Sequence, residues 1–288
     1  MLDSKLPSLD FIIENAINED KIFDDITTDL TVSSNVNSSF FINAREKLIF
    51  CGCDVVKRVF SRLMNSPKFS NCEVNLEFFK QDGDMVLASE NIIAGTGNSK
   101  LILSAERTIL NLIQHLSAIA TQTNNYVLQL GNPSIKILDT RKTLPLYREL
   151  QKYAVKCGGG YNHRFNLADL ILIKDNHINA CQNIDNVFNK IDNVGALKIE
   201  IECDNFSQVQ QSLKHNPDII MLDNMNFDEL QKSINLIQAH HQKILIEVSG
   251  GINLDNIHLY RNFKIDYISI GSITNSIKNV DIGLDFCN

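Results

Sequence analysis

The second half of the chain alternates between two hydrophobic periods. Short β-branched runs read as strands: IKILDT (135–140), LILIK (170–174), LKIEIE (197–202), DIIMLD (218–223), ILIEVSG (244–250) and DYISIG (266–271). Between them lie helix-like stretches such as CQNIDNVFNKI, FSQVQQSLKH, FDELQKSINLIQAHH and LDNIHLYRNF. Repeated strand–helix alternation predicts βαβ units and a parallel sheet. Nearly every run closes on a polar residue or glycine: Arg141 just past the first, then Lys174, Glu202, Asp223, Ser249 and Gly271. An open doubly wound sheet gathers ligands only at its switch point, whereas a barrel uses the C-terminal ends of most of its strands, so this distribution favours a barrel. Alternation places Glu200 with Glu202, and Glu247 with Ser249, on one face, which points inward in a barrel.

The first hundred or so residues follow another pattern. FFINAREKLIFCG, EVNLEFFKQDGD and MVLASENIIAGTG predict strands with turns at Asp82-Gly83 and Gly95–Gly97, while LDFIIENAI and DVVKRVFSRLM predict helices. This is an α+β arrangement. A long helix is predicted after Ser104, taken as its N-cap, with Ile109, Leu112, Ile113, Leu116, Ile119 and Ala120 on one stripe joining the two parts.

Composition narrows the setting. The 288 residues suffice for two domains. A net charge of −7 argues against broad nucleic-acid binding. No apolar run approaches the roughly 18 residues of a membrane span, and the start shows no basic region followed by an apolar one. Seven cysteines at irregular spacing do not suggest a disulfide framework, and a reducing cytoplasm is the expected compartment.

Charge is unevenly spread. Residues 136–174 carry a net charge of +5 within this acidic chain, which points to an anionic small ligand. Arg148, Lys152 and Lys156, four apart, read as a solvated helix face. DTRKTLP (139–145) and GGGYNHRF (158–165) instead bring Arg141, Lys142, His163 and Arg164 to neighbouring strand ends with Lys174. Gathered cations repel, so such a cluster calls for an anion, and arginine's planar fork suits carboxylate or phosphate. Glu202 and Asp223 face them. These carboxylates can hold Mg²⁺, bind sugar hydroxyls, stabilise a developing positive charge, or simply pair with the cations. No histidine or cysteine spacing suits a transition metal. VSGGINLDNI (248–257) and SIGSITNS (269–276) have the strand–glycine–helix layout of a phosphate cradle. The glycines at 158–160 lack it. No nucleophile motif occurs, so charge neutralisation and alignment fit better than covalent catalysis.

DTRKT, KYAVKCGGGYNHRF, LILIKDNHI, AERTILNLIQHLSAIAT, IEIE, IMLDNM, IEVSGGI and ISIGSIT together resemble quinolinate phosphoribosyltransferases, in the right order over nearly the whole chain. INEDKIFDDITTDLTV resembles that family's opening segment. The resemblance implies an α/β fold with an N-terminal open sandwich domain over 1–115 and an incomplete, TIM-like α/β barrel over 116–274. The tail, 275–288, would pack back on the first domain. It implies transfer of phosphoribosyl from phosphoribosyl pyrophosphate to quinolinate with decarboxylation, dependent on Mg²⁺, in a homodimer or dimer-based hexamer. Arg141, His163, Arg164 and Lys174 would grip the quinolinate carboxylates, and Arg107 would reach the partner subunit's site. Lys142 and Lys174 would hold pyrophosphate. Glu202 and Asp223 would meet ribose hydroxyls and metal, and Ser249, Gly250, Gly251 and Gly271 the 5-phosphate. The chain departs from the family pattern at Leu146, where glycine is usual, at Ala118, and around Phe23-Asp24.

Overall fold

The computed structural model describes residues 7–191 and 195–287. In chain order the first elements are α1 (Pro7–Glu19), α2 (Ile26–Thr31), β1 (Asn37–Ala44), β2 (Leu48–Ile49) and α3 (Cys53–Met64). They are followed by β3 (Val74–Phe78), β4 (Met85–Val86), β5 (Asn91–Asn98), α4 (Ser99–Leu130), β6 (Lys136–Leu138) and α5 (Arg148–Cys157). The later elements are β7 (Ile171–Ile173), α6 (Asp175–Cys181), α7 (Ile184–Phe188), β8 (Ile199–Cys203), α8 (Phe206–Ser212) and β9 (Ile219–Asp223). The last are α9 (Phe227–Gln238), β10 (Leu245–Ser249), β11 (Tyr267–Ser269), α10 (Ser272–Asn275) and β12 (Ile282–Phe286). Two compact units result. One comprises Met1–Asn124, Thr143–Gly159 and Ile273–Asn288; the other comprises Asn125–Lys142 and Gly160–Ser272.

The first unit is built on an antiparallel sheet ordered β12-β1-β5-β3. The C-terminal strand pairs with β1 from Phe40↔Phe286 to Ala44↔Ile282. Helix α3 buries Val55, Val56, Val59, Phe60 and Leu63, the recurrence expected of one helical face. Phe60 meets Phe40 of β1 at 6.2 Å between ring centroids. Gly95 and Gly97 lie inside β5 rather than in a turn. Their role is close approach: a Cβ on Gly95 would stand 2.3 Å from the Phe40 ring.

Helix α4 begins six residues before the expected start. The side chain of Asn98 caps it by accepting the Leu101 N–H at 3.2 Å. Ser104 lies inside the helix, and its hydroxyl donates to Asp25 at 2.9 Å. The predicted stripe from Ile109 to Ala120 is buried throughout. Helix α5 buries Leu150, Gln151, Lys152, Ala154 and Val155. Lys152 is therefore a core residue and not part of a solvated basic face, because α5 is packed around much of its circumference.

The second unit holds a six-stranded parallel sheet ordered β6-β11-β10-β9-β8-β7. All six strands predicted from the second half form. β6 and β7 are the edges, and this order does not close a barrel. Tyr161 extends the β6 edge through a parallel bridge with Leu138. The stretch LDNIHLYRNF forms only a short 3-10 turn, Ile257–Tyr260. Parallel registers align Glu202 with Met221, Met221 with Glu247, and Asp223 with Ser249. With a period of two, these residues project from one face of the sheet.

Candidate active site

The site lies where β6 to β11 end. A cavity of about 380 Å³ is lined by Thr140, Arg141, Lys142, His163, Arg164, Leu172, Lys174, Glu202, Met221, Asp223, Glu247, Ser249 and Ser269. Of the twelve site residues expected from sequence, eight line this cavity: Arg141, Lys142, His163, Arg164, Lys174, Glu202, Asp223 and Ser249.

Asp139, fully buried just past β6, anchors the histidine–arginine loop. Its carboxylate accepts the His163 backbone N–H at 3.0 Å and the Asn162 side-chain amide. Tyr161 N–H donates to Ile137 at 2.8 Å, so the loop runs as an added strand beside β6. The glycine run ahead of it serves packing rather than phosphate binding: a Cβ on Gly158 would stand 2.3 Å from the Ala120 carbonyl oxygen.

His163 is held at both ring nitrogens. Nδ1 accepts the Arg164 backbone N–H at 2.7 Å, which leaves the ring proton on Nε2. Nε2 faces Glu200 at 3.1 Å and Glu247 at 3.6 Å. Both carboxylates are almost wholly buried, and Glu247 Oε1 has no hydrogen-bond partner among the described residues. Burial, followed by the neighbouring Glu200 charge, pushes Glu247 up to about 8. Glu247 and Glu200 also line a second cavity of about 280 Å³, which shares His163, Arg164 and Glu247 with the first.

Arg164 Nη1 donates to the Leu170 carbonyl at 3.1 Å. Burial and then the adjacent Arg141 charge hold its guanidinium below the usual value. A bound anion would offset this crowding of positive charge. Lys174, at the end of β7, forms an ion pair with Glu202. Glu202, Asp204 and Asp223 bring carboxylate oxygens within 4.8 Å of one another, an all-oxygen set suited to a hard cation such as Mg²⁺. Asp204, one residue beyond β8, escaped the sequence reading, although its position past a strand end was available as a signal.

Three of the glycines lie beside the cavity lining. Gly250 has φ +94°, and a Cβ there would stand 2.3 Å from Asn224 Oδ1. Only glycine allows β10 and the loop after β9 to meet in this way, tied by the Asn224 N–H to Ser249 carbonyl bond of 3.0 Å. Gly251 follows with φ +64° and open space beside it, and Gly271 separates β11 from α10. Arg107 belongs to the other unit, on α4. Its side chain is 60% exposed, with Glu106 3.9 Å away.

The strand ends of this parallel sheet thus gather clustered cations opposite paired carboxylates, a lining suited to anionic ligands. Residues 25–117 match the quinolinate phosphoribosyl transferase N-terminal domain, and residues 119–285 match its C-terminal domain. The chain belongs to the quinolinate phosphoribosyl transferase family. It is 39% identical to a probable nicotinate-nucleotide pyrophosphorylase (carboxylating) of Methanocaldococcus jannaschii, over 95% of both chains. It is 34% identical to the nicotinate-nucleotide pyrophosphorylase (carboxylating) of Mycobacterium leprae, again over 95% of each. The crystal structure of nicotinate-nucleotide pyrophosphorylase from Ehrlichia chaffeensis superposes with a TM-score of 0.90, at 39% identity and full coverage of both chains.

Proposed function

We propose that this protein transfers phosphoribosyl from phosphoribosyl pyrophosphate to quinolinate with decarboxylation. The products are nicotinate mononucleotide, pyrophosphate and CO₂, a step of de novo NAD biosynthesis. The observation that carries this reading is the convergence of Arg141, Lys142, Arg164 and Lys174 with Glu202 and Asp223 in one cavity. A pure anion binder gains nothing from the two carboxylates.

Arg141 and Arg164 take the quinolinate carboxylates. His163, engaged at both nitrogens by the protein, acts by fixing Arg164 and the loop that carries it. Lys142 and Lys174 hold pyrophosphate and stabilise the charge as it departs. Glu202 and Asp223 face the ribose, where they bind hydroxyls and stabilise an oxocarbenium-like centre. Glu202 and Asp223 would hold Mg²⁺, directly or through water, and the ion would supply charge neutralisation for the leaving pyrophosphate. Ser249, Gly250, Gly251 and Gly271 receive the 5-phosphate on backbone N–H groups.

The pyridine nitrogen already presents a lone pair, so no general base is needed to activate it. Once that nitrogen is alkylated, the adjacent carboxylate leaves as CO₂ because the cationic ring accepts its electron pair. The residues' main work is then alignment.

The reading includes a homodimer, or a hexamer built from dimers, in which Arg107 enters the partner's site. The exposure of its side chain supports this. A cytoplasmic setting accords with seven free cysteines, and among the described residues no helix is long and apolar enough to cross a membrane.

One assay tests the reaction. Protein, Mg²⁺ and phosphoribosyl pyrophosphate are mixed with quinolinate or nicotinate, and CO₂ and nucleotide are followed. Both products are expected from quinolinate. Nucleotide from nicotinate with no CO₂ from quinolinate would overturn the assignment in favour of a sister transferase. Mixed Arg107→Ala and Arg164→Ala subunits are expected to regain part of the activity, and no rescue in proven heterodimers would refute the shared site.

A further inference from the structure

Two cysteines distant in sequence meet inside the first unit. Cys51 lies between β2 and α3, and Cys157 ends α5, yet their sulfur atoms are 3.7 Å apart. Both are held in place. The Cys51 N–H donates to Ser117 Oγ at 3.0 Å. The Cys157 carbonyl packs on the turn at Gly83, where a Cβ would stand 3.4 Å from it. Cys51 is buried, whereas Cys157 is half-buried and reaches solvent.

We propose that Cys51 and Cys157 are an oxidation site, closing to a reversible intramolecular disulfide when the protein meets hydrogen peroxide. Cys157 is the attacking sulfur. It is the accessible one of the pair, and it accepts the Cys51 S–H. That hydrogen bond, set against burial, holds Cys157 below the ordinary thiol value, while burial pushes Cys51 well above it.

In the first step the Cys157 thiolate attacks one peroxide oxygen. The O–O bond breaks, hydroxide leaves and is protonated to water, and Cys157 becomes a sulfenic acid. In the second step Cys51 gives up its proton and attacks the Cys157 sulfur. The S–O bond breaks, and hydroxide leaves with that proton as water. Two thiols have then lost two electrons, and one peroxide has become two waters. The sulfurs must close from 3.7 Å to about 2.05 Å.

A thiophilic metal is the competing occupant, because Asp82 brings a carboxylate oxygen within 4.8 Å of both sulfurs. That carboxylate is already in use. It accepts the N–H groups of Gly52 at 2.7 Å and Cys53 at 2.9 Å, and the Tyr153 hydroxyl at 2.8 Å. A metal would have to share this carboxylate with three donors to gain its third ligand. Disulfide formation leaves them untouched.

The test is peptide mapping of the full-length protein after peroxide treatment and alkylation of the remaining thiols. A Cys51–Cys157 cross-linked peptide is expected, reversed by dithiothreitol, with a melting temperature several degrees higher because the bridge closes a long loop. Cys51→Ser is expected to stop at a sulfenic acid on Cys157, trapped by dimedone. Cys157→Ser is expected to leave Cys51 reduced. If either variant fails to fold, the wild-type peptide map decides alone. Alkylation of both residues after peroxide has oxidised the exposed Cys287 would overturn the proposal. So would one equivalent of Zn²⁺ bound by the untreated protein and lost in both serine variants, which would make the pair a metal site.

Discussion

Both units hold carboxylates away from open solvent, and two of these settings are opposite: Asp82 is half-buried, whereas Glu200 and Glu247 are almost wholly buried. In the first, Asp82 meets three donors, and every one of them belongs to the loop or helix it fastens. In the second, Glu200 and Glu247 lie almost wholly buried side by side, share His163, and leave Glu247 Oε1 without a hydrogen bond among the described residues. A satisfied carboxylate, half-buried like Asp82 or fully buried like Asp139, is a structural fastener. Two that crowd each other beside a cavity work against stability and are explained by what they hold in place. The pattern of satisfaction, more than burial itself, separates scaffold from site.

Four substitutions sharpen or break that contrast. Asp82→Ala strands three donors and is expected to lower stability by about 2–4 kcal/mol, with turnover per folded molecule retained. Chemical denaturation alongside active-site titration checks it. A loss of turnover without a loss of stability would place Asp82 with the site. Arg164→Ala removes a charge-assisted contact of about 1.5–3 kcal/mol, so kcat/KM for quinolinate should fall about 10- to 150-fold. Phosphoribosyl pyrophosphate should be affected less. Equal losses for both substrates would contradict the anion subsite.

Glu247→Gln is a question of pH. The carboxyl has a folded-state value of about 8 against 4.5 unfolded, so the folded protein binds the extra proton between those limits. Its contribution to stability is therefore fully present below about pH 4.5 and is lost as pH rises through 8. Denaturation midpoints measured across this range should fall with pH in the wild type and flatten in Glu247→Gln. An unchanged slope would show that Glu247 is not the source. The smallest effect is expected at Leu146, which is 68% exposed and held at φ +69°. A left-handed conformation costs a residue with a Cβ about 1–2 kcal/mol, so Leu146→Gly should stabilise by about 0.5 kcal/mol after its own entropy cost. A lower melting temperature would mean that the leucine side chain has a compensating contact.

Much of the second unit is legible in the sequence. Its strands are short, β-branched and interrupted by helical periods, and the period of two inside IEIE and IEVS already put Glu200, Glu202, Glu247 and Ser249 on one face. Polar termini on successive strands converge in any parallel sheet, so Arg141, Lys174, Glu202 and Asp223 could be expected together. Local capping was harder to read. Ser104 is a good N-cap by type, but Asn98 captured the helix start by reaching the Leu101 N–H. The glycines of GTG looked like a turn, yet they lie inside β5 so that the Phe40 ring can pack against the strand.

What the chain determines by itself is periodicity, because side-chain direction repeats with the backbone: strand faces, helix stripes, and the residue at each strand end. What only the tertiary structure decides is partnership across long separations. No local pattern shows that Lys152 is buried, that both nitrogens of His163 are taken, or that Cys51 meets Cys157 across 106 residues. These depend on which faces pack together and on which donors and acceptors remain once they have. Burial then sets the energetic consequence, since a charge or thiol removed from water answers only to the few groups beside it.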